Sequence, residues 1–129
     1  MSDCLLDTNI ISYILKADSR AALYATHLTS QRLCISFMTV AELYAWAIAR
    51  KWGKRRVDDL RTHIRQYVVF PYDDLTAWEW AKVSNIPGKP ISTGDAWIAA
   101  AALRYGIPLV THNPNHFEHI QGLQVVSEA

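Results

Sequence analysis

Short apolar runs alternate with longer segments of helical periodicity along this chain, and that alternation restricts the fold more than any other property of the sequence. The runs are residues 4–6, 33–37, 67–70, 107–111 and 123–126. Most are rich in Val, Ile, Leu or Phe and all are too short for a helix, so each reads as a strand. Between them, Ile10, Ile11, Ile14 and Leu15 recur at helical spacing, and a second helix is expected over 19–29 with Ser19 as its N-cap. Thr39-Val40-Ala41-Glu42 has the form of a capping box and opens a long apolar helix, with Gly53 as its stop. A polar helix over 55–66, a helix capped by Asp73 or Asp74, and an alanine-rich helix over 95–105 ended by Gly106 complete the series. Parallel neighbours require crossover connections, so strands separated by helices of this length belong to a parallel sheet. The expected fold is α/β, with a central parallel sheet of about five strands covered by helices on both faces and a single domain over 1–129.

A chain of 129 residues buries enough apolar surface to fold without disulfides or structural zinc. Cys4 and Cys34 lie in strand-like runs without C-x-x-C spacing and are expected to be buried thiols. No apolar stretch is long enough to span a bilayer, and Asp3 and Asp7 stand where a secretory signal would be basic or apolar. The expected compartment is cytoplasmic. The net charge is only +1, yet five of thirteen basic residues fall in 50–56: Arg50, Lys51, Lys54, Arg55 and Arg56. Such a local run, extended by Arg61 and Arg65, is a source of phosphate contacts and a candidate RNA-binding surface. Lys89, in the loop before Asp95, is the alternative cation.

Three acids stand at positions where ligands gather in open α/β sheets, beyond the carboxyl ends of strands or at helix starts. Asp7 closes the first apolar run, Glu42 follows the second, and Asp95 opens the alanine-rich helix. Each has a local explanation, because helix N-termini favour acids, Glu42 completes the capping box, Ser92 precedes Asp95 by three, and Asp7 could brace a turn with Thr8 and Asn9. All three, however, are embedded in apolar sequence, where an unpaired carboxylate is costly to bury and a divalent cation would offset the cost. Hard oxygen donors without nearby Cys or His of ligand spacing point to Mg²⁺ or Mn²⁺ rather than zinc.

The segments that carry these acids resemble a known family. Leu5-Leu6-Asp7-Thr8-Asn9, Ile35-Ser36 leading to Thr39-Val40-Ala41-Glu42-Leu43, and Gly94-Asp95-Ala96-Trp97-Ile98-Ala99-Ala100-Ala101-Ala102 occur in order. Gly106, Leu109-Val110-Thr111, Asn113, His116-Phe117 and Gly122-Leu123 follow. The chain is similar over nearly its whole length to PIN-domain ribonucleases, specifically VapC-type toxins of type II toxin–antitoxin systems. The resemblance implies a PIN-like three-layer sandwich and an Mg²⁺- or Mn²⁺-dependent endoribonuclease that hydrolyses RNA phosphodiester bonds with metal-activated water. It maps the catalytic and metal-binding acids onto Asp7, Glu42 and Asp95, with Thr8 supporting them through its hydroxyl. The family often carries a fourth acid in the segment matching 111–117, where this chain offers Asn113 and His116. That departure leaves one metal or two open, and gives Asn113 either a ligand-orienting role or a turn-shaping one before Pro114.

The resemblance also implies a VapB-type antitoxin and a homodimer. Tyr44, Trp46, Ile48 and Trp52 cannot all face inward from one helix, which makes them candidates for either interface. Three other readings compete. A catalytically inert PIN-like RNA- or protein-binding module would follow from the missing fourth acid. A phosphohydrolase using Asp7 as nucleophile expects a second Asp two residues on, where Asn9 stands. Metal-free acid–base cleavage would draw on His112, His116 and His119.

Overall fold

In the computed structural model, which describes residues 2–129, the apolar runs become five strands: β1 (Ser2–Leu6), β2 (Gln31–Ser36), β3 (Val68–Phe70), β4 (Leu109–Val110) and β5 (Val125–Val126). They form one parallel sheet in the order β3-β2-β1-β4-β5. Successive side chains of a strand face opposite sides, and the two sides here feed two cores. Cys4, Leu6, Ile35 and Val110 pack with Ile10, Ile11, Tyr24, Leu43, Ala47 and Leu60. Leu5, Cys34 and Leu109 pack with Val83, Ile98, Ala99, Phe117 and Ile120. Both cysteines are buried, free thiols.

The helices divide accordingly. One face carries α1 (Thr8–Leu15), α4 (Phe37–Ala49) and α5 (Lys54–Ile64), with the single turns α2 (Ser19–Ala22) and α3 (Ala25–Leu28). The other carries α6 (Asp74–Ser84) and α7 (Thr93–Tyr105). The chain builds outward from β1 to β2 to β3, then returns past β1 to lay down β4 and β5. Right-handed crossovers running in opposite directions along a sheet put their helices on opposite faces, which produces the three layers. The reversal falls between β1 and β4, and ligands collect beyond the strand ends at such a reversal.

Local differences from the sequence reading have physical causes. The helix expected over 19–29 is broken into α2 and α3, and Asp18, not Ser19, caps it by accepting from Arg20 N at 2.9 Å. Tyr24 breaks it by turning wholly into the core, where its hydroxyl meets His112 Nδ1 and accepts from Glu128 N. Helical segments this short are marginal by themselves, so a buried aromatic overrides them. The capping box at Thr39 and Glu42 does not form either. Ser36 caps α4 by accepting from Met38 N at 3.0 Å, so the helix begins at Phe37 and Glu42 sits in its second turn. Asp73 rather than Asp74 caps α6, accepting from Thr76 N at 2.7 Å, while Gly106 ends α7 at φ 64°.

Among the described residues no helix is long and apolar enough to cross a membrane. The most exposed large apolar side chains are Ile48 on α4, at 78%, and Trp78 on α6, at 65%. Trp78 shares its region with exposed Leu75 and Tyr72, a face the sequence reading did not single out.

Candidate active site

The site is built outward from Asp7. β1 ends at Leu6, and Asp7 keeps an extended backbone that starts α1 while its Oδ1 accepts from Thr8 N at 2.7 Å. Its Oδ2 accepts from Thr111 Oγ1 at 2.7 Å, and Thr111 Oγ1 in turn accepts from Asn113 N at 3.0 Å. Thr111 follows β4 as Asp7 follows β1, so two adjacent strand ends deliver a donor and an acceptor to one spot. Asp7 is only 5% exposed. Burial pushes its pKa up to about 6; the charges of Asp95 and Glu42 add to the rise, and the bonds from Thr111 and Thr8 oppose it.

Glu42 reaches the same place from α4. Thr8 Oγ1 donates to Glu42 Oε1 at 2.8 Å. A threonine has one hydroxyl proton, so in the 2.9 Å contact between Thr8 and Thr39 it is the fully buried Thr39 that donates. Burial raises the Glu42 pKa above its ordinary value, Thr8 lowers it, and the Asp95 charge raises it again.

Asp95 lies in the first turn of α7, where Ser92 caps the helix by accepting from Asp95 N at 3.1 Å. Its Oδ2 lies 3.0 Å from His116 Nδ1. The preceding residue, Gly94, lets α7 approach α4, because a Cβ there would stand 3.2 Å from Glu42 Oε2. We expect Gly94→Ala to displace the Glu42 carboxylate while stability stays within about 1 kcal/mol, since alanine is the better helix former and the crowded atom is a side-chain tip. A rate loss with an unchanged melting temperature checks this.

Among the described residues no lysine or arginine lies within ion-pairing distance of the three carboxylates, and only His116 pairs with one of them. Among those residues, too, no three Asp, Glu, His or Cys side chains are closed into a ready-made cation cage. Asp7 and Glu42 share Thr8 as a hydrogen-bond donor, and the Asp95 charge bears on both.

A family model described as PIN domain matches residues 4–123. The chain belongs to the PIN-domain family. This PIN domain is similar to Ribonuclease VapC1 of Haemophilus influenzae, with 35% identity over 93% of each chain. Among solved structures, VapBC-1 from nontypeable Haemophilus influenzae aligns with a TM-score of 0.83, 30% identity and 97% of each chain covered. VapBC2 from Rickettsia felis, bound to a DNA fragment from its promoter, aligns at a TM-score of 0.85 over 98% of this chain and 99% of that one. At 20% identity it speaks for the fold alone.

The remaining candidate residues of this PIN domain are distributed unevenly. Asn113 reaches the site through its backbone; its side chain is exposed and caps nothing. His112 is tied to Tyr24 and packed edge-on against Tyr13, so it does not join His116 and His119 in one acid–base group. Arg50 lies eight residues along α4 from Glu42, about 12 Å at the rise of a helix. Arg50 and Arg56 cover Trp46 and Trp52 at 5.4 and 3.9 Å, Lys54 pairs with Asp58, and Lys51 and Arg55 are exposed. Lys89, by contrast, lines a cleft together with Asp95.

Trp46, Trp52, Leu43, Ser12, Arg50 and Arg56 line a groove of about 200 Å³ between α1, α4 and α5. It begins one helical turn from the site, since Ser12 and Trp46 each follow Thr8 and Glu42 by four. Tyr44 packs behind it under Arg61, whereas Ile48 points away into solvent. The sequence reading missed Thr39, which it took as a cap, and gave no role to Thr111. The signals for Thr111 were its place at the end of the apolar run 107–111 and in the Leu109-Val110-Thr111 segment of the resemblance.

Proposed function

We propose that this protein is a metal-dependent endoribonuclease of the VapC type, the toxin of a toxin–antitoxin pair, acting in the cytoplasm. One observation supports the reading: beyond the sheet reversal the Asp95 charge bears on both Asp7 and Glu42, and among the described residues no lysine or arginine pairs with any of the three. The donor set fits Mg²⁺ or Mn²⁺, being hard carboxylate oxygens, with Glu42 Oε2 left beside Gly94 while Oε1 takes the Thr8 bond. Mg²⁺ keeps several of its waters, so three acids suffice without a closed cage.

Bound there, such a cation would polarise a phosphate oxygen of RNA and lower the pKa of a water. The protein's own part is orientation and charge. Thr111 and the Thr8 backbone hold both Asp7 oxygens, and the Thr39–Thr8 hydroxyl chain holds Glu42. His116 holds Asp95. Water as the nucleophile leaves the RNA 2′-hydroxyl intact, so the products are a 5′-phosphate and a 3′-hydroxyl. Mapping the ends of RNA cut in Mn²⁺ tests this; a 2′,3′-cyclic phosphate rejects it.

The Trp46–Trp52 groove supports a VapB-type partner, because indole walls flanked by arginines suit an amphipathic peptide with acidic residues. Trp52→Ala is expected to weaken antitoxin binding at least about thirtyfold, the scale of a buried aromatic anchor, as read by calorimetric titration.

A further inference from the structure

A second cleft, of about 340 Å³, opens beside Asp95 between the loop ahead of α7 and the 3₁₀ turn Pro114–His116. Its lining includes Lys89, Ser92, Asp95, Asn115, His116 and His119. Asp95 forms part of its wall, so whatever sits there adjoins the carboxylates. It is more polar than the indole groove, offering a hydroxyl, an amide, two imidazoles and one ammonium beside the carboxylates of Asp95 and Glu118.

Three features of the cleft bear on what it could hold. Lys89 is exposed and, among the described residues, pairs with no carboxylate. His119 has a buried Nε2 with no hydrogen-bond partner among those residues, an uncommon condition that calls for an explanation. His116 is anchored at Nδ1 by Asp95 while about half of its side chain stays exposed, which leaves a ring face available. A cation at the rim, an imidazole plane and polar groups within match the parts of a nucleotide: phosphate, base face and base edge. RNA-reading sites use these contacts on unpaired strands, where bases can be splayed out and stacked on aromatic or histidine rings. The volume lies at the low end for small-ligand sites, suited to one nucleoside and not to a duplex.

Resting on the nuclease reading, we propose that this cleft seats one nucleotide of single-stranded RNA adjoining the cleaved phosphate, with its base against His116 and its phosphate on Lys89. The substrate at the cut is then unpaired RNA, held on the α7 side of the carboxylates, and the Arg50–Arg56 surface is left to the protein partner.

The test uses the full-length Asp7→Asn protein with EDTA and a fluorescein-labelled RNA dodecamer, as a single strand and as a duplex, with affinity read by anisotropy across a salt series. The single strand should bind more tightly. Lys89→Ala should lower the magnitude of the log–log salt slope by about 0.7, the share of one single-strand phosphate. His116→Ala should cost about tenfold in affinity with the slope unchanged, and His116→Phe, which keeps a ring but not the Asp95 contact, should restore it. Equal binding of duplex, or unchanged affinity and slope in Lys89→Ala and His116→Ala, overturns the proposal. So does a Lys89→Ala effect confined to antitoxin affinity. Cleavage by the otherwise unaltered protein in Mn²⁺ separates the two readings. Binding that depends on Lys89 without any cleavage rejects the nuclease and keeps the cleft, whereas cleavage with an unchanged KM in Lys89→Ala rejects the cleft alone.

Discussion

We expect Asp7→Asn to abolish RNA cleavage, with a rate loss of at least about a thousandfold, and at neutral pH to make the metal-free protein more stable. Both effects come from one carboxylate. Its two oxygens are fixed by Thr8 N and Thr111 Oγ1, so Asn keeps the shape while removing the charge a cation needs. Held at about 6 rather than its ordinary 3.8, an Asp7 buried to 5% exposure makes the ionised folded state about 3 kcal/mol less stable than a normal aspartate would. Between those two values the folded protein binds a proton that the unfolded chain has released, so stability falls as pH rises through the window and levels off above it. Losing the bond donated by Thr111 costs about 1 kcal/mol, which leaves a net gain on the order of 2 kcal/mol for Asn at pH 7. Urea unfolding at pH 4 and pH 7 checks it: the Asp7 contribution to the pH slope disappears in the variant. A variant less stable than the parent at pH 7 would mean that Asp7 is satisfied without a cation.

Saturating Mn²⁺ should reverse that cost. A ligand that binds only the folded state at one hundred times its Kd adds about 2.7 kcal/mol, which for a chain of this length raises the Tm by roughly 10 °C. EDTA should return the Tm to its starting value, and the Asp7→Asn protein should show little shift. Below pH 6 the effect should shrink, because a proton on Asp7 competes with the cation. A Tm insensitive to Mn²⁺ at pH 7 would remove the metal from the mechanism.

Much of this arrangement was readable in the sequence, for identifiable reasons. Asp7 and Asp95 announced themselves by closing a strand and opening a helix, positions that depend only on neighbours in the chain. The parallel sheet followed from the spacing of short apolar runs. Glu42 carried a misleading local signal: Thr39-Val40-Ala41-Glu42 has the form of a cap, yet Ser36 performs that task and both side chains turn to Thr8 instead.

What could not be read were contacts between distant residues. Thr111 reaches Asp7 across 104 positions and Thr39 reaches Thr8 across 31, so neither has a local pattern to betray it. Tyr24 splits a plausible helix because its partner His112 is 88 residues away. The basic run drew notice by its density, but it sits at the far end of α4, while a single lysine in an irregular loop shares a cleft with Asp95.

A crystal soaked in Mn²⁺ and measured at the manganese absorption edge tests the site most directly. The expected result is an anomalous peak bounded by carboxylate oxygens of Asp7, Glu42 and Asp95, lost in Asp7→Asn. Full occupancy elsewhere, with nothing between those three side chains at saturating Mn²⁺, would contradict the mechanism.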